Sequence, residues 1–208
     1  MNIITISREF GSGGRELGKR LAEALGYAYY DREILAMLAQ ETDMAEEYLE
    51  RALEQGNLSN LYPISIGQTF AMLPTYMADQ SSTLLRQQSD LIKSIAKKQN
   101  CVIVGRNADI ILADEQPLRL FVHAEMSERI ARCRRREKPD EQPLTDKAYE
   151  KQIRQIDKSR SKLHNILSTY QWGDRRGYDL CINTTTIRIK DMIPALTAYT
   201  EKWFSIQK

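Results

Sequence analysis

A chain that begins with Ile3-Ile4-Thr5-Ile6-Ser7, runs into Arg8-Glu9-Phe10-Gly11-Ser12-Gly13-Gly14-Arg15 and continues from Glu16 to Gly26 with Leu17, Leu21 and Leu25 has few folds open to it. An apolar β-branched run, a glycine-dense turn and a segment with leucines at helical spacing predict strand, phosphate loop and helix. Gly11, Gly13 and Gly14 admit backbone conformations closed to other residues, so successive N–H groups converge on one oxyanion. The helix behind them adds unpaired amides and the positive end of its dipole. The bland alternative is a glycine-rich connection that binds nothing.

The loop departs from the G-x-x-x-x-G-K-[ST] pattern, in which a lysine holds the β/γ-phosphates and a hydroxyl holds magnesium. Counted from the strand end, the lysine place falls on Gly14 and the hydroxyl place on Glu16. A second register, Gly13 to Gly18-Lys19, buries its lysine one turn inside the helix and is rejected. Arg15 is the expected substitute cation, because a guanidinium at the helix start grips phosphate oxygens bidentately. Lys19 is a second candidate; for both the alternative is a solvated helix face.

The 208 residues suffice for one α/β domain with a smaller appendage. With 30 basic and 28 acidic residues the net charge is only +2, which gives no global field toward nucleic acid or membrane. Cys101, Cys133 and Cys181 lack metal-ligand spacing and read as reduced, mostly structural thiols. With no apolar run of bilayer length and no export signal ahead of the first strand, the expectation is a soluble, cytoplasmic protein.

Along the chain, Tyr27-Ala28-Tyr29-Tyr30 predicts a short second strand ending at Asp31. Asp31 is either the cap of a helix beginning near Arg32 or a carboxylate at the ligand-binding end of a parallel strand. One helical pattern runs from Arg32 to about Gln55. Gly56 to Pro74 has no sustained period and reads as an insertion over the sheet's ligand edge, with an oligomer contact as a further use. A third helix spans about Ser82 to Gln99, and Arg86 on it reads as a surface arginine. Cys101-Val102-Ile103-Val104 is a doubly buried parallel strand. It delivers Gly105-Arg106-Asn107 at its end, where Arg106 is placed to hold an acceptor phosphate.

Leu118 to His123 is the fourth strand, and Ser127 to Lys138 a strongly basic helix broken by Pro139 and Pro143. This run has three readings: a solvated face, a nucleic-acid contact, or a lid whose cations neutralise charge appearing in a phosphoryl transfer. The near-neutral net charge speaks against the second. A further helix, about Asp146 to Leu167, carries Arg154, Asp157 and Arg160 on one side, either as a self-paired stripe or as phosphate and sugar contacts. Tyr178 to Asn183 is the fifth strand. A closing helix from about Lys190 to Trp203, if capped by Asp191, has Pro194 in its first turn. Strands alternating with helices through right-handed crossovers imply an α/β fold: a five-stranded parallel sheet with helices on both faces.

The opening strand with Gly11-Ser12-Gly13-Gly14-Arg15-Glu16, Val102-Ile103-Val104-Gly105-Arg106, Ile156-Asp157-Lys158-Ser159-Arg160, Trp172-Gly173-Asp174 and Tyr178 to Thr184 together resemble the cytidylate kinase-like family of P-loop proteins. The resemblance covers nearly the whole chain apart from about residues 40–80. It implies one P-loop nucleoside-monophosphate-kinase-like domain, with a core of residues 1–39 and 82–208, an acceptor-side helical insertion at about 40–81 and an arginine-rich lid at about 129–153. It also implies phosphoryl transfer from ATP with Mg2+ to a small acceptor, a nucleoside monophosphate such as CMP.

Position by position, the resemblance gives Gly11 to Glu16 the donor phosphates, Arg106 the acceptor phosphate, and Asp157 and Arg160 ribose and phosphate contacts. Arg129, Arg132 and their neighbours stand for the lid. True cytidylate kinases carry lysine and a hydroxyl where this chain has Gly14 and Glu16, and Asp-Gly-Arg-Asp where it has Val104-Gly105-Arg106-Asn107. Glu16 is then the candidate magnesium ligand. The rival reading is a nucleotide-binding protein with little or no turnover.

Overall fold

The computed structural model describes residues 1–54, 75–137 and 144–206. Five strands, β1 (Ile3–Arg8), β2 (Ala28–Tyr30), β3 (Cys101–Val104), β4 (Leu118–His123) and β5 (Leu180–Asn183), form one sheet in the order β2-β3-β1-β4-β5. Every neighbouring pair is parallel, with Ile6 opposite Val104 on one side of β1 and opposite Leu120 on the other. The expected fold class is thus what the chain adopts.

Strand alternation divides the core between two faces. Ile4, Ile6, Val102, Val104, Leu120 and Val122 pack with Leu17 and Leu21 of α1 (Gly14–Leu25) and with Leu196 and Phe204 of α8 (Ile189–Ile206). Ile3, Cys101 and Ile103 point the other way. They meet α2 (Glu33–Thr42), α3 (Glu46–Glu54), α4 (Thr75–Lys98) and Ala108 of the short α5 (Ala108–Ile111). Two more helices, α6 (Met126–Arg134) and α7 (Asp146–Leu167), stand beyond the strand ends. Gly18 explains why α1 lies so close to the sheet: a Cβ there would come within 2.8 Å of Val104 and 3.0 Å of Ile6.

Several expected elements are corrected. The single helix from Arg32 to Gln55 is two helices, α2 and α3, because Asp43 turns left-handed (φ 54°), a conformation aspartate tolerates better than most residues. Asp31 does not cap α2; Arg32 stands at that position with no side-chain cap, and the Asp31 carboxylate faces arginines instead. The third helix starts earlier, at Thr75. In α8, Asp191 lies inside the first turn, so Pro194 falls within the helix rather than in its first turn. Arg188, just before the helix, donates from Nε to Asp191 at 2.6 Å. Residues 55–74, which include the expected loose stretch Gly56 to Pro74, and Pro139 and Pro143 lie outside the described residues.

The chain leaves β1 toward the face covered by α1 and leaves β3 toward the face holding α5. Connections that part to opposite faces of an open sheet leave a crevice at the carboxyl ends of the strands between them. Arg8, at the end of β1, and Gly105, just past β3, border it. No helix among the described residues is long and apolar enough to cross a membrane.

Candidate functional site

The glycine turn is open at the amides where it enters α1 and clamped behind them. Gly13, the residue before α1, is left-handed (φ 86°), which only glycine adopts without strain. No carbonyl or side chain among the described residues takes up the amides of Gly14, Arg15 and Glu16, so the helix start keeps its anion-binding donors. Behind them, the backbone of Arg129 presses on Gly11, where a Cβ would stand 2.9 Å from the Arg129 carbonyl oxygen. The Ser12 carbonyl accepts from Arg132 Nη1 and from the Thr184 hydroxyl, both at 2.6 Å. The Ser12 hydroxyl turns back to donate to the Glu9 carbonyl at 2.9 Å.

Two residues expected at the ligand hold the loop. Arg129, with 5% of its side chain exposed, forms ion pairs with Asp157 and, at 3.2 Å, with Glu9. It also donates to the Phe10 carbonyl at 2.7 Å. Asp157 accepts the Phe10 amide at 2.8 Å. A buried guanidinium with this many acceptors is a staple between α6, α7 and the loop. Arg154 pairs with Glu150 on the surface while Asp157 stands 3.9 Å from Arg160, so the Arg154–Asp157–Arg160 row is self-paired only in its second half and is not wholly turned to one site.

A cavity of about 530 Å³ opens in the crevice. It is lined by Ser7 and Arg8 from β1, Gly105, Arg106 and Asn107 after β3, Leu53 and Gln88 from α3 and α4, and Gln152, Gln155, Ser159 and Arg160 from α7, with Trp172 at one side. Arg106 comes forward because Gly105, Arg106 and Asn107 are all left-handed (φ 77°, 60° and 52°), a sharp turn strained at the arginine. Arg160 donates to the Arg8 carbonyl at 3.1 Å, and its guanidinium lies 5.6 Å from the centre of the Phe10 ring. Asp31, almost fully buried, pairs with Arg15 and stands 3.7 Å from Arg8. It also helps burial push the Tyr29 hydroxyl up to about 12.

On the other side of the loop a second cavity, about 430 Å³, is lined by Glu16, Glu128, Arg132, Arg135, Arg136 and residues 185–190. Burial holds the Arg132 guanidinium below its usual value, against the pull of Glu128 at 3.2 Å. The open amides thus stand between two cavities rich in arginine.

The donor set suits a polyphosphate: free helix-start amides, glycines and guanidinia. No group of three or more His, Cys, Asp or Glu side chains able to hold a metal gathers among the described residues. Glu16, paired with Arg20 at 2.8 Å, is one carboxylate beside the loop. That fits magnesium, which keeps waters and takes its other ligands from substrate phosphates.

Sequence reasoning passed over Arg8, Gln88, Gln152, Gln155 and Trp172. Arg8 carried a usable signal, a cation at a parallel strand's carboxyl end, the same one that singled out Arg106. The glutamines carried none, since surface and cavity glutamines look alike in sequence. Also unforeseen is a buried pair under the cavity, His164 Nε2 at 3.1 Å from Asp109, with the Tyr178 hydroxyl 3.5 Å from the same nitrogen.

No curated protein matches the chain. Among solved structures, an uncharacterized protein from Eubacterium ventriosum ATCC 27560 is similar at 24% identity and a TM-score of 0.66, over 97% of this chain and 99% of that one. Shikimate kinase from Bacteroides thetaiotaomicron shares 13% identity with a TM-score of 0.54, over 96% of this chain and 98% of its own. A gluconokinase from Sinorhizobium meliloti 1021 shares 14% with a TM-score of 0.53, over 97% and 93%. At such identities the likeness is one of fold. A family model matches residues 3–186, all five strands together with the glycine turn and the lining of the first cavity, and the chain therefore belongs to the cytidylate kinase-like family.

Proposed function

We propose that this protein is a small-molecule kinase, with ATP and Mg2+ on the donor side and a nucleoside monophosphate such as CMP as acceptor. The observation that carries the reading is the set of open amides at Gly14, Arg15 and Glu16, flanked by a cavity with Arg106 and Arg160 and by another with Arg132.

Gly11 to Glu16 hold the donor phosphates through the main chain, and Glu16 would be the carboxylate that holds a magnesium ion, which would supply charge to the phosphates. Arg106 and Arg160 hold the acceptor's phosphate and orient its attacking oxygen. Arg15 and Arg132 balance charge that spreads over the transferring group, which is where most of the acceleration in phosphoryl transfer arises. Arg129 and Asp157 keep the loop in shape, and Asp31 holds Arg15.

Measuring ATP consumption against a panel of nucleoside monophosphates tests this. One of them is expected to stimulate turnover, and Arg106→Ala to abolish the stimulation. Thermal stabilisation by nucleotide with no turnover across the panel favours the rival binding module, which the missing lysine makes reasonable. No heat and no stabilisation with Mg·ATP overturns both.

A further inference from the structure

The space that a side chain at position 14 of the loop would need is taken by the stem of Arg8. A Cβ on Gly14 would stand 2.6 Å from the Cβ of Arg8 and 3.0 Å from its Cγ, a separation real side chains do not adopt. Side chains at positions 8 and 14 therefore exclude each other, and this chain has its cation at 8. From that point the Arg8 stem crosses the crevice. Its guanidinium lies on Gly105, where a Cβ would overlap Nη1 and come within 2.7 Å of Cζ. Its Nη2 faces Asp31 at 3.7 Å, and only 13% of the side chain is exposed. The Arg8 backbone is held by Arg160 through its carbonyl.

The side chain thus begins at the donor loop and ends in the wall of the acceptor cavity, beside Arg106. We infer that Arg8 is the cation that holds the transferring phosphoryl group, supplying from the strand end the charge that a lysine supplies from the helix start in other phosphate loops. Gly14 and Gly105 are the two positions kept bare for it. Arg15, half exposed and turned to Asp31, is the outer member of the pair that shares that carboxylate. This inference rests on the proposed kinase reading and names the residue that makes its altered loop competent.

A swap tests it. Arg8→Met keeps the stem's packing and leaves Asp31 on Arg15, so the variant is expected to melt near wild type and to bind Mg·ATP by calorimetry within a few-fold. Its kcat, read as ATP turnover with and without the monophosphate panel, should fall by about 10³-fold with KM little changed, as for other arginines that neutralise a transferring phosphate. Gly14→Lys alone should melt well below wild type, because Arg8 occupies its space. Arg8→Gly combined with Gly14→Lys should recover both the melting temperature and at least tenfold of the turnover lost in Arg8→Gly, a non-additivity that two independent sites would not show.

Unchanged kcat in Arg8→Met overturns the inference, as does a double variant that does not fold or is no more active than Arg8→Gly. If wild type itself neither binds nor turns over Mg·ATP, the kinase reading falls; if it does both while the swap fails, only the role of Arg8 falls.

Discussion

Gly105 shows how much one missing side chain carries. It is left-handed (φ 77°) and has the Arg8 guanidinium on its α-carbon, so Gly105→Ala meets backbone strain and steric overlap together. Left-handed strain alone costs about 1–3 kcal/mol, and urea denaturation should show a loss of at least about 2 kcal/mol. An Ala variant as stable as wild type would mean that Arg8 does not lie there in solution. Asp31→Asn addresses the partner: it removes a buried charge shared by Arg8 and Arg15, and should lower kcat with a smaller change in KM for ATP and by less than Arg8→Met does, because the arginines lose their orientation but not their charge. Legibility at this scale was uneven. Arg106 and Asp31 announced themselves as polar residues at strand ends, and Arg8 satisfied the same rule. A loop template that looks for its cation at the helix start drew attention to Arg15, and only through-space exclusion between positions 8 and 14 reveals the substitution. Arg129 and Asp157 could not be sorted into ligand contacts or loop supports from spacing, since both uses put a charge on the same helix face.

Elements α6 and α7 are tied to the glycine turn through one guanidinium. Arg129 holds Glu9, Asp157 and the Phe10 carbonyl while almost wholly buried, so Arg129→Met leaves two carboxylates without their partner. Removing one member of a buried ion pair costs about 3–5 kcal/mol, and the partial exposure of Glu9 places the expected loss near the lower figure, about 3 kcal/mol, in a denaturant titration. Asp157→Asn, which keeps an oxygen for the Phe10 amide, should cost clearly less. Equal losses would mean that the staple works through packing and not through charge. The strands, α1 and the long α7 were legible because apolar periodicity specifies them locally. The break between α2 and α3 was not, because a left-handed aspartate looks like any polar helix residue. The early start of α8 was likewise hidden by Asp191, whose position suggested a cap.

At the scale of the whole molecule the sheet was legible as five parallel strands, whereas its order was not, because placing β3 between β2 and β1 depends on which connection crosses which face. That order buries Cys101 on one face, while Tyr178 is buried against Phe121 and His164. Both groups keep their protons in the folded state beyond their ordinary range. Burial raises the Cys101 thiol from 9.0 to about 11, and burial, helped by the Asp109 charge, pushes the Tyr178 hydroxyl well above its usual 10.0. Above about pH 9 the unfolded chain releases protons that the folded chain retains, so the unfolded state binds fewer protons and stability falls as pH rises. Below that pH these two groups contribute no slope. Urea midpoints should therefore show no dependence on these groups up to about pH 9 and an added decline from there to about pH 11 and beyond. Cys101→Ala should remove the earlier part of that decline and Tyr178→Phe the later part. If both variants keep the wild-type slope, the alkaline loss originates elsewhere and these two groups are more accessible to solvent than the packed sheet implies.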